Sequence, residues 1–550
     1  MPSVSAHVAI TLASHLDNVF GVMGNGNAYF LNALERQTDV RYTPVRHEAG
    51  AVVAADAHFR ASGRIAAGTT TYGAGFTNTL TALAEAVQAH VPLILVVGDE
   101  PTSGPRPWDV DQIALASAVG ARTYTVGRAD AAATTAIAVE HALAYSVPTV
   151  LAIPYDVARL DAGPVPEAPQ PQLPGPLAPH DEFGRTQVAR LARALATAER
   201  PFLLAGRGAW LAGAGESLGE LADAIGAVTA STALGRGVFP DGRFDLGVTG
   251  GFGADGAMEL VRDADVAVVF GASLNQFTMR FGHLFSPETQ LMQVDTAPAA
   301  THPHVGGFIR GDARLVADQL VSALRELRAE PSGWRESLDF QALTYRPEGD
   351  GIAADGRLDP RTVAKRIGEL LPEERVVVSD GGHFIGWANM YWPVASPDRM
   401  IMVGTAFQSI GLGMPSVVGA ALARPEATVV LTTGDGGGLM ALADLESAVR
   451  VAGGRGMAVV WNDAAYGAEV NLYGLKGLSR SPMLIPEVDF AALASAVGAE
   501  GVAVRTLDDL DRLGSWAATP ADARPFLLLD CRITHEVISP YQQEVIRVNS

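Results

Sequence analysis

Short runs of consecutive apolar residues, separated by stretches with apolar residues at helical spacing, recur along the whole chain. Residues 19–23, 65–70 and 92–98 read as strands in the first third, and 79–89 reads as a helix between two of them. Residues 201–206, 266–271 and 290–294 continue the pattern in the middle. Residues 375–378, 429–433, 457–461 and 525–530 do so in the last third, and 439–452 carries a helical pattern between two of these runs, making a βαβ unit. Strands without polar alternation are buried on both faces, which implies parallel sheets with helices on either side.

Two breaks interrupt the pattern. Residues 160–182 are rich in Pro, Ala and Gly, and 346–357 are rich in Gly and Asp, compositions that bury no core and read as linkers. The fold class expected is therefore α/β, as three consecutive doubly wound parallel-sheet domains over 1–159, 183–345 and 358–532, with a tail at 533–550 that lacks periodicity. The length agrees, since 550 residues exceed what one core supports and suit about three domains.

With 48% hydrophobic and 18% charged residues the chain reads as a folded soluble protein. A net charge of −20 argues against a nucleic-acid or anionic-membrane partner. Cys531 is the only cysteine, so no intrachain disulfide forms. No basic segment precedes an apolar run at the N-terminus, and no uninterrupted apolar stretch reaches about 18 residues, so neither a signal peptide nor a membrane span is expected. A cytoplasmic location follows as the expectation.

The candidate chemistry gathers in the last third. Gly434-Asp435-Gly436-Gly437-Gly438 ends one strand, and Trp461-Asn462-Asp463-Ala464-Ala465-Tyr466-Gly467 ends the next. Asp435 and Asp463 thus lie at the carboxyl ends of neighbouring strands, where ligands of open α/β sheets sit. Two carboxylate oxygens, completed by waters or phosphate oxygens, suit Mg²⁺. Glycines let backbone N–H groups approach a phosphate.

This pattern resembles the diphosphate-binding signature of thiamine diphosphate (ThDP) enzymes of the acetolactate synthase, pyruvate decarboxylase and benzoylformate decarboxylase superfamily. The resemblance implies Mg²⁺ held by Asp435, Asp463 and the Ala465 carbonyl, with Gly434, Gly436, Gly437, Tyr466 and Gly467 at the cofactor. Arg46-His47-Glu48 resembles the element carrying the family's activating glutamate, so Glu48 is expected to hydrogen-bond N1′ of the aminopyrimidine. Residues 71–78 resemble the Gly-Pro-Gly-Ala-Thr-Asn turn of acetolactate synthases, with Ala74 in place of Pro and Phe76 in place of Ala; Gly73 and Asn78 are its cofactor candidates. Residues 405–415 resemble the cofactor-bending loop, where Ile410 would wedge between the rings and the Gln408 carbonyl would receive the 4′-amino group. Gly381 and His383 would contact the diphosphate.

Glu469, six residues past Asp463, takes the place of the acid/base glutamate of pyruvate decarboxylase-like enzymes. The His-His pair of that branch is absent, and its region reads Trp108-Asp109-Val110-Asp111-Gln112, from which Asp111 or Gln112 is expected to project into the site. The loop 23–27 departs from the family's Pro-Gly-Gly; Asn25 and Asn27 serve there either as hydrogen-bonding groups for a substrate or as left-handed turn residues. After Gly271-Ala272 the chain reads Ser273-Leu274-Asn275-Gln276-Phe277 where acetolactate synthases show Arg-Phe-Asp-Asp-Arg, so tightly held FAD is not expected.

What the resemblance implies is a ThDP- and Mg²⁺-dependent enzyme that decarboxylates a small-molecule 2-oxo acid and passes the acyl unit to an aldehyde or ketone. The alternatives are a simple decarboxylase, an FAD-containing acetolactate synthase or pyruvate oxidase, and a non-catalytic paralogue. In the family the cofactor lies between the first domain of one subunit and the third of another, which implies a homodimer or homotetramer.

Overall fold

Each apolar run read above is a strand with both faces covered. The computed structural model describes residues 1–549, whose strands assemble into three six-stranded sheets. The first contains β1 (Asn18–Gly21), β2 (Arg41–Pro44), β3 (Ala67–Thr70), β4 (Ile94–Asp99), β5 (Arg122–Thr125) and β6 (Thr149–Pro154), in the order β2-β1-β3-β4-β6-β5. The second contains β7 (Pro201–Ala205), β8 (Val228–Ser231), β9 (Asp245–Val248), β10 (Val266–Phe270), β11 (Gln290–Asp295) and β12 (Gly307–Arg310), in the order β12-β11-β10-β7-β8-β9. The third contains β13 (Arg375–Ser379), β14 (Met400–Ile401), β15 (Thr428–Gly434), β16 (Gly456–Asn462), β17 (Glu500–Val504) and β18 (Leu527–Arg532), in the order β14-β13-β15-β16-β18-β17. All their pairings are parallel. The fold is therefore three doubly wound α/β units.

The outer two sheets share one topology, and in each the strand order reverses between the first strand and the third. Such a switch point leaves a crevice at the strand ends. In the third sheet it lies between β13 and β15, and the register Ser379↔Thr432 and Gly434↔Trp461 brings the loops after β13, β15 and β16 to one level. Three of the sequence segments with candidate chemistry are those loops.

The helix Glu48–Ser62 connects the outer units. His47 caps its start by accepting from Ala49 N–H, and Gly63, left-handed at φ 71°, ends it. Its small residues let it pack against the first sheet on one side and the helix Gly413–Ala423 on the other. At the closest approach a side chain on Gly419 would collide with the Ala54 carbonyl, so only glycine fits there. One hydrophobic core consequently runs from the first unit into the third, while the central unit keeps its own cores on the two faces of its sheet.

Two expectations need correction. The stretch 439–452 is not one helix: a helix Asp435–Met440 begins directly after β15, a 3-10 turn Leu442–Asp444 follows, and a second helix spans Leu445–Ala452. The break turns Asp444 inward, where it accepts from Arg46 N–H at 2.8 Å and Ser447 Oγ at 2.9 Å. The tail is also not structureless, since Pro540–Asn549 is a helix. It seats Tyr541 against Phe252 and Phe277, buries Gln542, and pairs Glu544 with Arg280 at 3.0 Å. So short a buried stripe leaves no repeating apolar pattern; the legible signal was Ser539-Pro540, a helix-start pair. Among the described residues no helix is long and apolar enough to cross a membrane.

His58, 1% exposed on the Glu48–Ser62 helix, bonds Asn18 Nδ2 at 3.2 Å and the Arg64 carbonyl at 3.3 Å, an arrangement that suits the neutral ring. Burial lowers its pKa from 6.5 to about 4, against a smaller upward pull from the Arg64 carbonyl. A group depressed on folding stabilises the native state above its unfolded pKa and loses that contribution as pH falls through the folded value. We expect His58 to cost on the order of 3 kcal/mol of stability as pH drops from 6.5 to 4. Urea unfolding of wild type and His58→Gln across that range checks it: the variant's acid slope should be shallower, and equal slopes would refute the assignment.

Candidate active site

The buried carboxylates at the ends of β15 and β16 define the third-unit half. Asp435 is 3% exposed and Asp463 2%. Asp435 Oδ1 accepts from Gly436 N–H at 2.8 Å, and Asp463 Oδ1 from Ala465 N–H at 3.1 Å. The second oxygen of each carboxylate is buried without a hydrogen-bond partner among the described residues. His383 Nε2 lies 2.9 Å from Asp463 Oδ2 as an ion-pair contact, without the alignment of a hydrogen bond. Burial first, and then the charge of Asp463, push the Asp435 carboxyl well above the usual range. Two buried carboxylates with orphaned oxygens are costly unless a cation joins them.

The neighbouring glycines form a cradle. A side chain on Gly467 would overlap the His383 ring, one on Gly436 would press on Tyr466, and one on Gly437 would meet Asp380 and Thr433. Ala464 is left-handed at φ 58° and Gln408 at φ 59°. Strained non-glycine residues flanking a cleft mark places where the surroundings over-determine the backbone. Residues 405–411 close one side, with Ile410 43% exposed. The donor set fits Mg²⁺ with a diphosphate: two carboxylates are too few for a self-sufficient metal site, none of which occurs among the described residues, and suffice where phosphate oxygens complete the shell.

Asp380, just before Gly381, is a site residue that the sequence motifs did not single out. Fully buried, it accepts from the N–H groups of Gly381 at 2.8 Å, Gly411 at 3.0 Å and Leu412 at 3.2 Å, and from Thr433 Oγ1 at 3.0 Å. One carboxylate thus ties together the loops carrying His383, Ile410 and Asp435. Its signal was a lone acid between a buried strand and a glycine pair.

Glu469 lies in the short helix Gly467–Glu469, directly before a π-helical turn at Val470–Gly474. Its charge acts on His383 and on Tyr541, whose phenol is raised by burial first and by Glu469 second. Tyr541 donates to the Gly382 carbonyl at 3.3 Å and Gln542 Nε2 to the Ala468 carbonyl at 3.4 Å, so the C-terminal helix borders the same rim.

The first-unit half is built from the segments that follow β1, β2, β3 and β4. Glu48, at the first position of its helix where the dipole favours a carboxylate, accepts from Asn78 Nδ2 at 2.9 Å. Gly75 packs beside it, so that an added Cβ would lie 3.5 Å from Glu48 Oε1. Gly73, left-handed at φ 60°, donates its N–H to Gln112 Oε1 at 2.7 Å. Gln112, 4% exposed, also donates to Gly98 O and Asp99 Oδ1, so its amide is engaged within the first unit rather than projected outward. Asp111 caps the following helix through Ala114 N–H. Asn25 is exposed and donates to Tyr72 Oη at 3.1 Å, whereas Asn27 is buried and bonds Gly24, Val22 and Thr69.

Glu48 makes no hydrogen bond to the third unit among the described residues; the two halves are carried on one chain but are not joined through these side chains. Both are flanked by exposed apolar groups: Met23 at 65% and Trp108 at 62% beside the first, Phe407 at 50% and Met440 at 57% beside the second.

Comparisons with known proteins agree with this arrangement unit by unit. Residues 2–118 match the family described as "Thiamine pyrophosphate enzyme, N-terminal TPP binding domain", 188–320 the "central domain" and 380–530 the "C-terminal TPP binding domain". Among similar proteins, an acetolactate synthase of Mycobacterium leprae is 27% identical over 90% of this chain and 81% of its own. A probable acetolactate synthase large subunit of Methanocaldococcus jannaschii is 26% identical over 99% and 96%. A sulfoacetaldehyde acetyltransferase of Alcaligenes xylosoxydans xylosoxydans is 26% identical over 93% and 89%.

Proposed function

The chain belongs to the thiamine pyrophosphate enzymes, and we propose that within this family it decarboxylates a 2-oxo acid and transfers the acyl unit to an aldehyde or ketone. The observation that carries the reading is the buried pair Asp435 and Asp463, each with one carboxylate oxygen that accepts no hydrogen bond among the described residues, the His383 ring being in ion-pair contact with that of Asp463. Mg²⁺ would be held by these carboxylates and the Ala465 carbonyl, with the diphosphate against Gly381, His383, Gly434, Gly436, Gly437, Tyr466 and Gly467. The aminopyrimidine would lie against Gln408 and Ile410, facing Glu48, Gly73 and Asn78. When bound, ThDP supplies the electron sink for the acyl carbanion. The residues supply the rest. Glu48 holds and returns a proton at the pyrimidine, Ile410 and the exposed apolar rim exclude water, and Glu469 moves a proton on the substrate side.

Carboligation is favoured by relatives whose names denote acyl transfer, acetolactate synthase and sulfoacetaldehyde acetyltransferase. Simple decarboxylation is the second reading, favoured by Glu469, an acid beside His383 and Tyr541 where a product is protonated. The half-exposed Ile410 and Phe407, with Met23 and Trp108 across the first half, support a homodimer in which each first unit covers the partner's third.

Assay of CO₂ release from a panel of 2-oxo acids, with and without added aldehydes and ketones, tests the reading. A condensed product is expected with an acceptor present. Glu469→Gln should lower product formation by roughly 10²-fold while leaving ThDP affinity unchanged. An aldehyde as the only product, whatever acceptor is offered, would select the second reading, and FAD absorbance in the purified protein would select the flavin-containing alternative.

A further inference from the structure

Three charged side chains are buried where the three units meet, and a fourth is half-buried beside them. Asp56 and Arg60 lie on Glu48–Ser62, Glu85 on Leu80–Gln88, and Arg207 opens Arg207–Leu211 of the central unit. Arg60 donates to both oxygens of Asp56 at 2.5 and 3.2 Å, to Glu85 Oε1 at 3.1 Å and to the Met402 carbonyl at 2.9 Å. Arg207 donates to the Ala89 carbonyl at 2.8 Å, and its charge acts on Asp56. The charges balance. Buried ion pairs nevertheless add little stability over apolar packing, so stability alone does not account for the arrangement.

Glu85, 0% exposed, reaches beyond Arg60. It accepts from Phe407 N–H at 2.6 Å and Ala406 N–H at 3.4 Å. These are the two residues before Gln408, whose backbone is left-handed at φ 59°. A non-glycine residue persists in that region only where its neighbours hold it. The far end of the loop is fastened by Asp380 to the Gly411 and Leu412 N–H groups, and Ser409 N–H bonds the Gly404 carbonyl at 2.8 Å. The near end depends on Glu85 and, through the Met402 carbonyl, on Arg60.

We propose that Glu85 is a positioning residue for the cofactor: from inside the first unit it holds 406–407 so that Gln408 and Ile410 are set for the aminopyrimidine before ThDP arrives. This rests on the reading of 405–411 as the cofactor-bending loop. It assigns a first-unit side chain to the upkeep of the third-unit half on the same chain, although that residue touches neither substrate nor cofactor. Asp56 supplies the control, because it faces Arg60 with the same burial and makes no hydrogen bond to the loop.

The test compares full-length wild type, Glu85→Gln and Asp56→Asn by calorimetric titration of ThDP with Mg²⁺, by amide hydrogen exchange of the unliganded protein, and by Tm. If only a fraction of Glu85→Gln molecules holds the loop ready, apparent affinity falls by that fraction. We expect ThDP binding at least roughly tenfold weaker and faster exchange at Ala406 and Phe407. Asp56→Asn should lower Tm comparably yet keep ThDP affinity within about threefold of wild type. Should Glu85→Gln not fold, Glu85→Asp retains the charge balance while withdrawing the carboxylate from Phe407 N–H, and the same loss is expected. Wild-type affinity in the Glu85 variants, or affinity lost in proportion to Tm in both Glu85 and Asp56 variants, would overturn the proposal. Absence of ThDP binding by wild type would instead bring down the loop's assignment, and this inference with it.

Discussion

Glu48→Gln should bind ThDP and Mg²⁺ within about threefold of wild type and turn over roughly 10²–10⁴ times more slowly. Glutamine has the same shape, and its side-chain oxygen still accepts from Asn78 Nδ2, the one hydrogen bond the Glu48 side chain makes among the described residues. The substitution removes only the capacity to hold and return a proton. The surroundings suit that role: the carboxylate sits at the first position of its helix and packs beside the glycine turn at Gly75. Calorimetry beside steady-state kinetics reads the two quantities separately. Wild-type turnover in the variant would remove Glu48 from the mechanism.

Asp435→Asn should have two effects of opposite sign. Without ligands, the variant should be more stable than wild type at pH 7, by on the order of 1–3 kcal/mol, because it removes a buried carboxylate whose proton affinity is raised by burial and by Asp463. With ligands the order should reverse. ThDP and Mg²⁺ at a hundred times Kd stabilise wild type by about 2.7 kcal/mol, and that gain should vanish in the variant along with turnover. Thermal unfolding of both proteins with and without ThDP and Mg²⁺ decides it; an unchanged ligand-induced shift in the variant would mean that Asp435 holds no metal. Mixing the two inactive variants adds a test of assembly. In a symmetric dimer that pairs one chain's Glu48 with the other's Asp435, a mixed dimer carries one site with neither lesion, so activity should return on mixing. No recovery would argue for a site built within a single chain.

The three sheets and the placement of Asp435, Asp463 and Gly467 at strand ends were legible because they depend on local pattern. A strand buried on both faces must be continuously apolar, and a backbone that approaches a phosphate or the His383 ring must be glycine. Composition and spacing along the chain record such requirements directly. The C-terminal helix escaped notice because it buries too few residues to leave a periodic stripe, and the break at Leu442–Asp444 because Asp444 turns toward Arg46, almost 400 positions earlier in the chain.

What the sequence determined alone was the architecture, the family and the identity of the residues at the strand ends. The tertiary structure decided how those residues are held. Asp380 joins three loops, Gln112 turns inward to Gly73 and Gly98, Asp56 and Glu85 face Arg60 from two helices, and Glu48 bonds Asn78 rather than any group of the metal half. Each of these depends on contacts between segments distant along the chain. A buried carboxylate looks the same in sequence whether it caps a turn, balances an arginine or awaits a cation, and only the neighbours that folding brings to it distinguish the three.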